Sequence, residues 1–234
     1  MKSRRWIGSA FVAFPIVINI PFAILASRFD YPDILRAPPA QVLERFATGG
    51  SSLVLTWYAF ALCMLLGLFA MTALPWVEGV GNRMRLGVAT TFGAIACVFQ
   101  LMGLIRWTFA VPMLAKVYTD PATSDAARSA AATAFLVLNQ YAGVALGEHL
   151  GQLFTAVWMA LLSANMFQAP QFRPWLGWLG YAGSLLWLLG LSEGFATVLP
   201  FDPGILATVP PTAFLVMGVW MMAMGIALCR EPIA

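Results

Sequence analysis

The sequence predicts an all-α, polytopic membrane protein: a bundle of six transmembrane helices with short amphipathic helices in the outer loops. Three observations predict it. Of 234 residues, 61% are hydrophobic and only 10% charged, with a mean hydropathy of +0.82, whereas soluble domains carry about 25% charged residues. Six stretches reach the roughly 20 mainly apolar residues needed to cross hydrocarbon. None alternates like a barrel strand, so helices are the structure that satisfies each stretch's backbone internally.

The first span covers residues Trp6–Ala26, behind Lys2, Arg4 and Arg5. It is longer than the apolar core of a signal peptide, contains Pro15, Asn19 and Pro21, and lacks a small-residue cleavage site, so a retained helix is expected. In the loop that follows, Pro38-Pro39 precedes Ala40–Ala47, where Val42, Leu43 and Phe46 share one helical face. That pattern predicts a short amphipathic helix lying on the outer surface or capping the bundle.

Leu53–Leu74 and Leu86–Trp107 are the second and third spans, joined by a short inner loop near Pro75–Arg85. In the second outer loop Asp120-Pro121 forms a turn, and Ser124 is an N-cap for a helix beginning at Asp125. The 43 residues from there to Phe167 would make a helix of about 65 Å. A bend or break is therefore expected around Asn139–Gly143, leaving Tyr141–Phe167 as the fourth span and the Ala-rich part outside.

Gln168–Pro174 is a second short inner loop, and Trp175–Leu199 and Thr208–Cys229 complete the set. With no internal repeat, linker or low-complexity tract, residues 1–234 form a single transmembrane domain. Cys63, Cys97 and Cys229 fall inside spans without a disulfide pattern and read as small buried hydrophobes. Trp6, Trp76, Trp107, Trp175 and Trp178 lie near span ends, where an aromatic belt belongs.

Six crossings put both ends on one side. That side holds Lys2, Arg4, Arg5, Arg83, Arg85, Arg173 and Arg230, with Glu78 and Glu231; the other holds Arg28, Arg36, Arg45, Lys116 and Arg128 with six acids. Seven Lys and Arg against five place both termini in the cytoplasm. The net charge of +3 is too small and too dispersed to suggest nucleic acid, and no nucleic-acid partner is expected.

The polar residues within the apolar stretches are the candidates for function. An ionised side chain near the bilayer centre costs roughly 2.5–3.5 kcal/mol on insertion scales. Arg106, Glu148, Glu193 and the lone histidine, His149, sit in such stretches. Arg106, Glu148 and Glu193 each lie about 20 residues from a border residue on the inner side, roughly 30 Å away, hence toward the outer face. Asn19 lies deeper in the same half.

In an α-helix Tyr141, Ala145, Glu148, Gln152 and Thr155 share a face, with Gly143, Gly147 and Gly151 forming a close-packing ridge beside it. The expected pairing is Arg106 with Glu148 or Glu193. Two carboxylates against one guanidinium leave a negative charge for a proton, His149 or a ligand to balance. A closed network that only fixes helix register, a ligand or ion site, and acid–base catalysis all fit this pattern.

One histidine excludes a bis-histidine haem and a multi-histidine zinc site. No cofactor and no metal are expected. No serine stands in a nucleophile-elbow context.

At these residues the chain resembles the DUF4386 family of bacterial integral membrane proteins. The resemblance rests on Gly103-Leu-Ile-Arg-Trp107, Val111-Pro-Met-Leu-Ala115, Tyr141-Ala-Gly-Val-Ala-Leu-Gly-Glu-His-Leu-Gly151, Leu176-Gly-Trp-Leu-Gly180 and Leu189-Gly-Leu-Ser-Glu193. It implies a bacterial protein with several spans, matched at Arg106, Glu148, His149 and Glu193, and brings no activity to carry over.

The function expected is that of a bacterial cytoplasmic-membrane protein, more a binder than an enzyme. An outward-facing polar pocket of Arg106, Glu148, His149, Glu193, Tyr141, Gln152 and Asn19 would bind or pass a small molecule, ion or lipid group. The alternatives are an intramembrane hydrolase or transferase using Glu148 or His149 as acid–base, and a structural or assembly subunit using the glycine ridge.

Overall fold

The computed structural model describes residues 2–202 and 204–230; Glu231, counted above on the inner side, lies outside them. Every regular element among the described residues is helical. The helices are α1 (Lys2–Phe29), α2 (Pro39–Ala73), α3 (Arg83–Phe109), α4 (Val111–Thr119), α5 (Asp125–Leu138), α6 (Gly151–Met166), α7 (Pro174–Ala196) and α8 (Val209–Cys229). A π-helix, Asn139–Leu150, joins α5 to α6, and a short 3-10 turn, Asp33–Arg36, lies between α1 and α2.

The six long helices form a closed ring of neighbours: α1, α2, α3, α6, α7, α8 and back to α1. Its interior is filled by large apolar side chains, among them Phe11, Met64, Trp158, Met159, Trp220, Met221 and Met224, all 2% exposed or less. Trp158 meets Trp220 edge-on, with ring centroids 5.3 Å apart.

Five helical runs are long and apolar enough to cross a membrane: Ser3–Phe29, Pro39–Trp76, Arg83–Thr119, Asp125–Met166 and Gly204–Cys229. They contain four of the six expected spans whole and the fourth up to Met166. The remaining one forms α7, a helix of 23 residues that carries Gly177, Gly180, Gly183, Gly190 and Gly194.

Beyond one end of the ring, several runs extend into a cap. Pro39 occupies the first turn of α2, where its missing N–H costs nothing. Val42, Leu43 and Phe46 then turn inward and are buried, so the amphipathic helix caps the bundle. At Gly50 the chain kinks with φ 57° and ψ −156°, a conformation essentially reserved for glycine. Phe29 sets its edge against Phe46, Trp57 and Trp107, and Trp57 stacks on Trp107 at 4.7 Å. Trp107 is thus no belt residue; at 1% exposure it is the floor on which the cap rests.

The second loop carries α4 and α5. Asp120 Oδ1 accepts from the Ala122 N–H, and Ser124 Oγ accepts from the Ala127 N–H at 3.3 Å, so Ser124 is the N-cap of α5. The chain does not break at Asn139. Leu138, Asn139, Leu150 and Gly151 all have right-handed helical dihedrals, and the helix instead changes its hydrogen-bond register to i→i+5 for 12 residues.

At the other end, buried Asn165 fastens the 77–82 loop. Its side chain accepts from the Asn82 N–H at 2.8 Å and donates to the Val80 carbonyl.

Candidate functional site: a carboxylate pair sharing one guanidinium

The π-helix places Glu148 where Glu193 on α7 can reach the same partner. That partner is Arg36, at the end of the 3-10 turn. Arg36 Nη2 donates to Glu148 Oε2 at 2.6 Å and to Glu193 Oε1 at 3.0 Å. Nη1 adds a long contact of 3.5 Å to Glu148 Oε1. Glu193 Oε2 has no partner among the described residues.

The side chains are 34% exposed for Arg36 and 26% for each glutamate, so the pair can be reached from outside. Burial works against the Arg36 charge, but Glu148 and Glu193 more than offset it and hold the guanidinium above its ordinary pKa range.

Tyr31 is under the influence of these charges. Burial and the Glu148 carboxylate push its phenol above the ordinary range, against the opposing pull of Arg106 and Arg36. The hydroxyl is therefore a neutral O–H at physiological pH, and it has no hydrogen-bond partner among the described residues. The ring is wedged edge-on against Phe22, Trp57 and Phe60.

Arg106 is buried at 7% exposure. It makes no ion pair among the described residues, so the pairing expected for it is made by Arg36 instead. Its guanidinium donates to the Gly103 carbonyl and, at 3.0 Å, to Asn139 Oδ1. It lies 5.1 Å from the centroid of the Trp107 ring. Its Nε–H has no acceptor among the described residues.

Two glycines make room for this arrangement. A Cβ on Gly143 would stand 2.5 Å from Arg106 Nη2, and one on Gly103 would stand 2.7 Å from the Gly147 Cα. The expected glycine ridge thus receives α3 and its arginine.

Asn139 ties Arg106 to the turn. Its Nδ2 donates to the Leu35 carbonyl at 3.3 Å, one residue before Arg36.

The other expected site residues lie elsewhere. His149 sets its ring edge on Phe195, centroids 4.9 Å apart, with Nδ1 3.3 Å from where a Cβ on Gly194 would stand. It flanks the carboxylates without a hydrogen bond to either among the described residues. Tyr141 is 65% exposed. Seven residues nearly complete two α-helical turns, but the wider π-helical turns rotate Tyr141 away from Glu148.

Gln152 packs by Gly190 on α7, its Oε1 3.6 Å from the position of an added Cβ. Asn19 is exposed on α1 and donates to the Pro15 carbonyl at 2.7 Å, lining a groove of about 310 Å³ between α1 and α8. Sequence reasoning missed Arg36 and Tyr31. The one signal for a further cation was the surplus of carboxylate over Arg106.

Among the described residues no group of three or more His, Cys, Asp or Glu is placed to hold a metal ion. Chemically, the arrangement offers two acids that present oxygens to one cation, with an idle phenol O–H and a second guanidinium close by.

The family model described as a domain of unknown function, DUF4386, matches residues 6–225. The chain belongs to the DUF4386 family. The match covers every helix that builds the site. No curated protein and no solved structure matches this DUF4386 chain.

Proposed function

We propose that this DUF4386 protein is a bacterial cytoplasmic-membrane protein that binds a small molecule, ion or lipid group at a polar site on its outer face, or passes it across. In this reading it crosses six times with both termini inside. The sixth crossing is α7, whose 23 residues reach about 34 Å and pack between α6 and α8. The orientation rests on the excess of Lys and Arg beside the termini.

One observation carries the reading: two carboxylates from separate helices share one nitrogen of a guanidinium borne on a short loop turn. A structural ion pair needs one acid. Two acids around one partly exposed cation form a socket, and a turn residue is the most readily withdrawn part of it. Binding is favoured over acid–base chemistry because His149 rests on Phe195 rather than on a carboxylate.

A second reading is favoured by the charge balance. Arg36 and Arg106 offset Glu148 and Glu193, so the network could serve only to fasten the cap. Mass spectrometry of protein released from mild detergent separates the two. Binding predicts a small molecule retained by the wild type and lost from a folded Glu148→Gln, Glu193→Gln variant. Fastening predicts identical spectra and a lower unfolding temperature.

A further inference from the structure

We propose that the ligand of the Glu148–Glu193 socket is a zwitterion, carrying an ammonium or guanidinium together with a phosphate or carboxylate, and that it enters by exchange with Arg36. This rests on the ligand-site reading above and narrows it to a chemical class.

Charge must balance in the site before and after the ligand enters. The socket is already filled by the chain's own cation, so an incoming group has to displace Arg36. A ligand with only a positive charge would take both carboxylates and leave Arg36 without a counter-ion. An anion alone would take Arg36 and leave two acids unpaired. Either outcome strands charge in a partly desolvated site, which is heavily penalised. A ligand bearing both signs replaces each partner in turn: its cation takes the place of Arg36 on Glu148 and Glu193, and its anion takes their place on Arg36.

Two further features point to a ligand rather than a closed network. The Tyr31 hydroxyl feels the charges of Glu148, Glu193, Arg36 and Arg106 and makes no hydrogen bond to any of them. Arg106, 7% exposed, keeps an Nε–H without an acceptor among the described residues. Both are donors, and an anionic oxygen is the group they lack. The carboxylates, by contrast, leave one acceptor idle, Glu193 Oε2, which suits the extra N–H of an ammonium. The unused hydrogen-bonding groups are thus of both kinds, donors and an acceptor.

The same chemistry occurs in a free solute and in a lipid headgroup. The test uses the full-length protein in an uncharged maltoside detergent, with binding read by calorimetry. Four probes are compared: phosphoethanolamine, dihexanoyl phosphatidylethanolamine, ethanolamine as the cation alone, and dihexanoyl phosphatidylglycerol as the anion alone. At least one zwitterion is expected to bind at least tenfold more tightly than either single-charge probe. Glu148→Gln and Glu193→Gln are each expected to weaken it at least tenfold, and Tyr31→Phe about threefold, in protein that elutes and melts as a folded species.

Binding of the lipid alone assigns a headgroup, and binding of phosphoethanolamine alone assigns a solute; both support the proposal. Should ethanolamine or the phosphatidylglycerol bind as tightly as the zwitterions, with the glutamate variants abolishing it, the zwitterion is overturned while the ligand site stands. If no probe binds and no co-purifying molecule depends on Glu148 and Glu193, both readings fall.

Discussion

The side-chain amide of Asn139 donates to the carbonyl of Leu35 across 3.3 Å and 104 positions of sequence. Its oxygen meanwhile accepts from Arg106. The first residue of the π-helix therefore holds both the buried arginine of α3 and the turn that carries Arg36. Glu148, near the far end of the same π-helix, takes Arg36 itself. One irregular helical segment thus positions both guanidinium groups of the site.

Asn139→Ala removes a donor from Leu35 and an acceptor from Arg106 at once. Leaving such groups unsatisfied costs about 1–3 kcal/mol. Denaturant unfolding in mild detergent should show that loss, and hydrogen exchange should rise across residues 31–38. Unchanged exchange there would mean that the turn is held by other contacts.

The crossing of α3 over the π-helix depends on bare backbone. A Cβ on Gly103 would stand 2.7 Å from the Gly147 Cα, where nothing flexible can yield. Gly103→Ala is expected to cost about 1–3 kcal/mol through overpacking and to weaken the Arg106–Asn139 contact. The same unfolding assay measures it.

Gly50 offers a purely conformational test. No atom of the described residues lies within 4 Å of a Cβ added there, yet its φ is +57°. Gly50→Ala should destabilise by about 1–3 kcal/mol through backbone strain alone. Gly87→Ala, also in open space but within α3, should leave stability unchanged or raise it by up to about 1 kcal/mol. Paired thermal melts of the two variants check the contrast.

Much of the fold was legible because its signals are local or periodic. The face of Val42, Leu43 and Phe46 and the cap at Ser124 are read from spacing and residue type, and both stand in the structure. The change of register after Leu138 was legible in place but not in kind. A helix too long for the bilayer announces that something happens, whereas Gly-Ala-rich sequence carries no mark of an i→i+5 ladder. That register moved Tyr141 off the face predicted for it.

Arg36 was hidden for a different reason. A charge within an apolar stretch stands out by the cost of burying it in hydrocarbon, and a loop arginine carries no such cost. Only the unbalanced carboxylate hinted that a cation had to come from outside the spans. Trp107 was misplaced in a similar way: a position at the end of a span does not tell headgroup from cap.

The central claim is that Glu148 and Glu193 act together on Arg36. A mutant cycle measures it most directly, using unfolding free energies of wild type, Arg36→Gln, the double Glu148→Gln, Glu193→Gln variant and the triple variant in one detergent. The account predicts a coupling of about 1–3 kcal/mol, between the ranges for exposed and buried pairs. Strictly additive effects would contradict it, because the arginine would then contribute the same with its two acids as without them.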